Sequence, residues 1–143
     1  MITRPLDTSF AKQIAEFFKE NFNDGWNEKM IESAFLTGRF FALGTFDNDR
    51  LVAVITYSLS DDSADIEDIV VKKEFRKIGL AKSLLSKAEE HIKENNKEKI
   101  FLEVRESNIP AVNLYEGFGY KTINIRKKYY ADGENAKVML KEI

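Results

Sequence analysis

The chain has 143 residues, 43% of them hydrophobic, with 22 basic and 24 acidic side chains and a formal net charge of −2. That length suits one core of ordinary size, the apolar share excludes a disordered chain, and the near-balanced charge excludes the bulk positive field of a nucleic-acid binder. No apolar run approaches the ~18 residues needed to cross a bilayer, and the start of the chain lacks a signal-peptide core, so a cytoplasmic protein without membrane contact is expected.

Ile2 to Leu6 reads as a first strand ending near Pro5. Thr8 or Ser9 is then placed to cap a helix whose Phe10, Ile14, Phe17 and Phe18 keep helical spacing. Asn27 is placed to cap a second, shorter helix through Met30, Ile31, Ala34 and Phe35. Phe40 to Phe46 and Leu51 to Leu59 read as strands joined by the turn Asp47-Asn48-Asp49, and Ala64 to Val71 as the next strand. A helix follows from about Gly79 to Glu94, then a strand from Lys99 to Val104. Asn108 and Pro110 open a short helix that Gly117 and Gly119 close. Tyr120 to Ile125 and Ala136 to Leu140 are the last strands, around the loop Lys127 to Asn135. The order β-α-α-β-β-β-α-β-α-β-β implies an α/β fold, a mixed sheet with helices on both faces. No repeat or linker divides the chain, so residues 1–143 are expected to form a single domain.

The densest signal lies at Ile69-Val70-Val71, which runs through a basic bend into Arg76-Lys77-Ile78-Gly79-Leu80-Ala81-Lys82 and a helix. A strand feeding a glycine turn at a helix N-terminus offers unpaired backbone N–H groups backed by the helix dipole, a seat for a pyrophosphate. The other reading of this joint is a plain tight turn. Neither Gly-x-x-x-x-Gly-Lys-Ser/Thr nor Gly-x-Gly-x-x-Gly is present, which argues against ATP and NAD.

Cysteine is absent and His91 is the single histidine. Disulfides, thiolate metal sites, cysteine nucleophiles and histidine metal clusters are therefore excluded, and no metal is expected. His91 lies off the stripe Ala81, Leu84, Leu85, Ala88 and Ile92, which marks it as a solvated surface residue. Chemistry is left to carboxylates, tyrosines, amines and backbone. A second constellation runs from Phe101 to Tyr120: a strand bearing Glu103, then Asn108 at a helix start, then Tyr115 one turn into that helix. If this strand lies beside Ile69–Val71, the three converge near the glycine turn. Otherwise Glu103 pairs with Arg105, Asn108 is a cap and Tyr115 is core.

Three ordered blocks carry a family resemblance. They are Ile69-Val70-Val71 with Arg-x-x-Gly-x-Ala, Leu102-Glu103-Val104-Arg105 through Leu114-Tyr115-Glu116 to Phe118-Gly119-Tyr120, and Arg126-Lys127-Lys128-Tyr129-Tyr130 with Asp132-Gly133. Together they resemble the GNAT superfamily of acetyl-CoA-dependent N-acetyltransferases, and within it the RimI-type subgroup that acetylates the N-terminal alanine of a small-subunit ribosomal protein. The likeness is dense from Ile66 to Met139 and loose before. Ala53 and Ala81 stand where the family often has glycine, and Phe22 to Phe35, expected to help form the acceptor groove, is divergent.

The resemblance implies a mixed, mostly antiparallel sheet of six to seven strands, with acetyl-CoA as co-substrate. It implies that the backbone of Ile69, Val70 and Val71 pairs with the pantetheine arm. N–H groups around Lys77, Gly79, Leu80, Ala81 and Lys82 would hold the pyrophosphate, with charge from Arg76, Lys77 or Lys82, and Asn108 would meet the pantetheine. Glu103 is implied as the base and Tyr115 as the acid. Trp26, Tyr129 and Tyr130 are implied as acceptor contacts, and the loop Arg126 to Tyr130 is the candidate grip on the acceptor backbone; its alternative is a hairpin with aromatic packing. Lacking cysteine, the chain is expected to use direct attack in a ternary complex. The acceptor expected is a protein N-terminus, with a lysine side chain, a small amine or a non-catalytic acetyl-CoA-binding module as alternatives. The protein is expected as a monomer or weak dimer.

Overall fold

Arg50–Leu59 is the most thoroughly buried strand, with Val52, Val54 and Ile55 all at 0% exposure. β-Branched side chains pack well on both faces of a central strand, and the rest of the sheet is built outward from it. The computed structural model describes residues 1–22 and 26–143. Its strands are β1 (Ile2–Leu6), β2 (Phe40–Asp47), β3 (Arg50–Leu59), β4 (Ser63–Val71), β5 (Lys99–Arg105), β6 (Lys121–Arg126) and β7 (Ala136–Glu142). Its helices are α1 (Ala11–Asn21), α2 (Glu28–Leu36), α3 (Leu80–Glu94) and α4 (Ile109–Gly117), with single 3-10 turns at Thr8–Phe10 and Lys73–Phe75. The expected element order is the observed one. The strands form a seven-stranded sheet in the order β1-β2-β3-β4-β5-β7-β6. Among the described residues only β4 and β5 pair in parallel.

Local chemistry moves three boundaries. β1 runs through Pro5 to Leu6, because an edge strand tolerates a residue with no N–H. Asp7, rather than Thr8 or Ser9, caps the first helical turn, its carboxylate accepting from the Ser9 amide at 2.9 Å. β6 begins at Lys121, since Tyr120 is buried, with its hydroxyl donated to Glu89 at 2.7 Å.

Two cores sandwich the sheet. One lies beneath α3 and α4 and gathers Tyr57, Ile66, Leu84, Leu85, Ile100, Leu102 and Met139. The other lies beneath α1 and α2 and gathers Ile14, Phe17, Phe18, Ile31, Phe40 and Val70. Sheet residues in the second core come from β1 to β4 alone. On that same face Glu103, opposite Val138 in the β5–β7 register, stays half-buried.

His91 is not the solvated residue that helical spacing suggests. It is half-buried, its Nδ1 lies 2.6 Å from the Tyr57 hydroxyl, and its ring stands edge-on to Phe41 at 4.9 Å. Periodicity marks apolar positions, whereas Tyr57 brings a hydroxyl into the core and needs a polar partner there.

Candidate active site

β4 and β5 pair from Ser63 opposite Lys99 to Ile66 opposite Leu102, and the ladder stops there. β4 continues on its other edge with β3 as far as Val71 opposite Ala53. The β3–β4 register shifts between Thr56 and Tyr57, leaving Glu67 as the extra residue of a bulge. A bulge bends its strand and steepens the local twist, which carries β4 away from β5. Ile69, Val70 and Val71 therefore present a strand edge that β5 does not fill. An extended ligand can pair with such an edge as an added strand.

Beyond Val71 the chain makes the 3-10 turn and then passes through two left-handed residues, Lys77 at φ 65° and Gly79 at φ 91°. A Cβ at Gly79 would meet nothing within 4 Å, so the positive φ rather than crowding calls for glycine. No side chain caps α3. The Ser83 amide is the first to reach back, to the Gly79 carbonyl at 3.0 Å. The amides of Leu80, Ala81 and Lys82 precede it in the first turn, where intrahelical partners are lacking. With the helix dipole behind them, such amides can seat an anion. Arg76 directs its Nε to the Val71 carbonyl at 3.0 Å and ties the turn to the strand end.

Glu103 stands one residue beyond the last β4–β5 rung. Its ionic partner is Arg126 on β6, with Nε 3.3 Å from Oε2, and not Arg105. Oε2 is shielded from solvent and accepts no hydrogen bond. Arg105 is drawn off to Asp132 at 2.8 Å and Glu134 at 3.1 Å, and lies 4.0 Å from the centroid of the Tyr130 ring. Tyr115 is 7% exposed and edge-on to Tyr120 at 5.8 Å. Burial first, then the neighbouring charges of Asp68 and Tyr130, raises its phenol well above the usual range. It holds its proton at neutral pH. The Asp68 influence links β4 to α4 across the place where β4 and β5 part.

Asn108 is a cap, its side-chain oxygen accepting from the Ala111 amide at 3.3 Å. Trp26 is half-buried and stacks on Phe40 at 5.8 Å, which ties it to the α1–α2 core. Tyr129 is exposed and meets Tyr130 at 5.1 Å. Their loop is clamped to the start of α4, because Glu134 accepts from the Ser107 amide at 3.0 Å and from its hydroxyl. Tyr115 thus feels the charges of Asp68 and Tyr130, and Glu103 stands one residue past the last rung of the parting strands. Arg76 through Lys82 ring the adjoining turn. Residues 23–25 of the expected acceptor groove lie outside the described residues.

Asp65 was not among the expected site residues, although it lies on the same face as Glu103, opposite Phe101. Its residue is exposed overall, yet desolvation of the carboxyl and then the Glu103 charge raise its proton affinity. Alternation back from Ile66 places Asp65 on the face away from α3, but the Glu67 bulge breaks the alternation that would tie it to the strand's second half. Among the described residues no group of three histidine, cysteine or acidic side chains is placed to hold a metal, and no helix is long and apolar enough to cross a membrane.

A model of the acetyltransferase (GNAT) family matches residues 9–120. An uncharacterized N-acetyltransferase of Methanocaldococcus jannaschii is 31% identical, over 99% of this chain and 92% of its own. An N-alpha-acetyltransferase of Sulfolobus acidocaldarius is 44% identical over 52% of this chain, and the match spans only 45% of that relative, about half its length. The crystal structure of the ribosomal-protein-S18-alanine N-acetyltransferase of Escherichia coli superposes with a TM-score of 0.90 at 26% identity, covering 99% of this chain and 94% of that one.

Proposed function

Because the chain belongs to the acetyltransferase (GNAT) family, we propose that it is a single-domain enzyme that transfers acetyl from acetyl-CoA to the α-amine of a protein N-terminus. The observation that carries this reading is the half-paired strand. Ile69–Val71 offer an open edge that leads directly into an uncapped, twice left-handed turn. A pantetheine arm ending in a pyrophosphate has that length and polarity: amides to pair along the strand, then an anion to seat at the helix. The residues fit acetyl-CoA, with Ile69, Val70 and Val71 along the arm and the amides of Gly79, Leu80, Ala81 and Lys82 at the phosphates. Arg76, Lys77 and Lys82 are exposed beside them.

Bound acetyl-CoA supplies an acyl thioester. Glu103 takes one proton from the incoming ammonium, freeing the nitrogen lone pair to form the new C–N bond while the C–S bond breaks, and the nitrogen's second proton passes to solvent as the amide forms. Tyr115, kept protonated by burial, donates to the departing sulfur, and solvent returns a proton to it. The sum is one amide, one thiol and one proton released. An α-amine has a pKa of about 7.7–8.0, so roughly a tenth is neutral at pH 7, while lysine near 10.4 is harder to deprotonate by roughly 3.4 kcal/mol. A single carboxylate base suits the α-amine better. The finer reading is an N-terminal alanine of a small-subunit ribosomal protein, supported by likeness to the E. coli enzyme.

The test is to incubate the chain with acetyl-CoA and a panel of hexapeptides differing in their first residue, beside free lysine and polyamines, and to read products by mass spectrometry. Acetylation at α-amines is expected. Acetylation confined to lysine side chains or small amines would replace the acceptor. Thiol release without product would leave only a binding module. Tyr115→Phe is expected to slow thiol release with acetyl-CoA affinity kept.

A further inference from the structure

Resting on Glu103 as the base, we infer that Arg126 is the residue that positions it. Arg126 closes the edge strand β6 opposite Ala136, and Glu103 lies opposite Val138, so the two stand on one face, two residues apart along β7. The guanidinium Nε is 3.3 Å from Oε2, an oxygen that is shielded from solvent and accepts no hydrogen bond. Arg126 thus holds the carboxylate by charge without a hydrogen bond.

The other charges on this face explain why a cation is needed. Asp65 of β4 flanks Glu103 with like charge, and the two repel. Arg105 shares the face but is committed to Asp132 and Glu134. Arg126 is the cation that offsets Asp65. Its guanidinium also lies 5.6 Å from the Tyr129 ring centroid, so it connects the base to the loop proposed to meet the acceptor. A surface ion pair with no role in the reaction would matter little to either stability or rate.

Kinetics with the best hexapeptide of the panel separate these readings. Arg126→Gln is expected to lower kcat about tenfold, part of the ~10²–10⁴ supplied by acid–base catalysis, with KM for acetyl-CoA within about twofold. Arg126→Lys keeps the charge and is expected to restore most of the rate. In a Glu103→Gln background, Arg126→Gln is expected to cost nothing more, because it acts through the missing carboxylate. Wild-type kcat in Arg126→Gln beside a slow Glu103→Gln would overturn this role and leave the base in place. A further loss in the Glu103→Gln background would make Arg126 a substrate contact and overturn it too. Full rate in Glu103→Gln would remove the base, and this inference with it. With its side chain 54% exposed, the Arg126→Gln protein is expected to fold. Arg126→Met, which keeps the apolar stem, is the second variant for the same comparison.

Discussion

The two halves of β4 share one strand and one partner in β3, yet differ on the opposite edge. Ser63–Ile66 are laddered to β5, and Ala64 and Ile66 sit in the core beneath α3 at 0% and 4% exposure. From Glu67 to Val71 the same edge has no β5 partner, Asp68 lies in it beside Tyr115, and Glu103 stands one residue past the last rung. The first half spends its backbone on the fold. The second half has no β5 ladder on that edge and gives its Val71 carbonyl to Arg76, with a bulge at its start and two left-handed residues beyond its end. On the proposed function, stability and chemistry separate along a single strand.

The sharpest way to break that separation is Glu103→Gln, on β5 just past the end of the ladder. Acetylation is expected to fall by about 10²–10⁴-fold while thermal unfolding and acetyl-CoA affinity are kept, a pattern read by stopped assays and calorimetry. A large loss of stability would show that the site also serves the fold. Ile100→Ala in the laddered half is the reverse test. Ile100 is fully buried opposite Ala64, so urea denaturation is expected to show a loss of about 2–5 kcal/mol with kcat per folded molecule unchanged. Gly79→Ala sits between them. Its cost of about 1–2 kcal/mol comes from φ 91° alone, since the new Cβ meets nothing, and acetyl-CoA is expected to bind more weakly by calorimetry. Equal affinity would detach the turn from the cofactor.

The smallest effect is one of pH. The Glu134 amide and then Arg105 hold Asp132 below its ordinary 3.8, and Ser107 and then Arg105 hold Glu134 below 4.5. Because both are depressed in the folded state, their contribution is present above those ordinary values and is lost as pH falls through the lowered ones. Protection of the Ser107 amide, its hydrogen-exchange rate taken relative to an unfolded chain at the same pH, is expected to fall only in that acidic window. Protection that is flat with pH would show that these contacts do not hold the β6–β7 loop.

Element order was legible throughout, because each strand and helix carries its own periodicity: Phe10, Ile14, Phe17 and Phe18 on one, the run before Val71 on another. Glu103 and Tyr115 were legible as candidates through their motif. The partner of Glu103 was not, because Arg105 is two residues away along the same strand while Arg126 arrives only when β7 is placed between β5 and β6. His91 was misplaced for a related reason. Helical spacing describes one helix, and Tyr57 lies on a strand 34 residues earlier.

Local order in the chain determined which segments are strands, where glycine is required and which side chains can accept or hold a proton. Those properties follow from each residue's own torsions and chemistry. Only tertiary structure decided where the β4–β5 ladder ends and which charges surround Glu103. A hydrogen-bonded rung and an ion pair both depend on the distance between segments remote in sequence, and a single bulge at Glu67 is enough to change that distance.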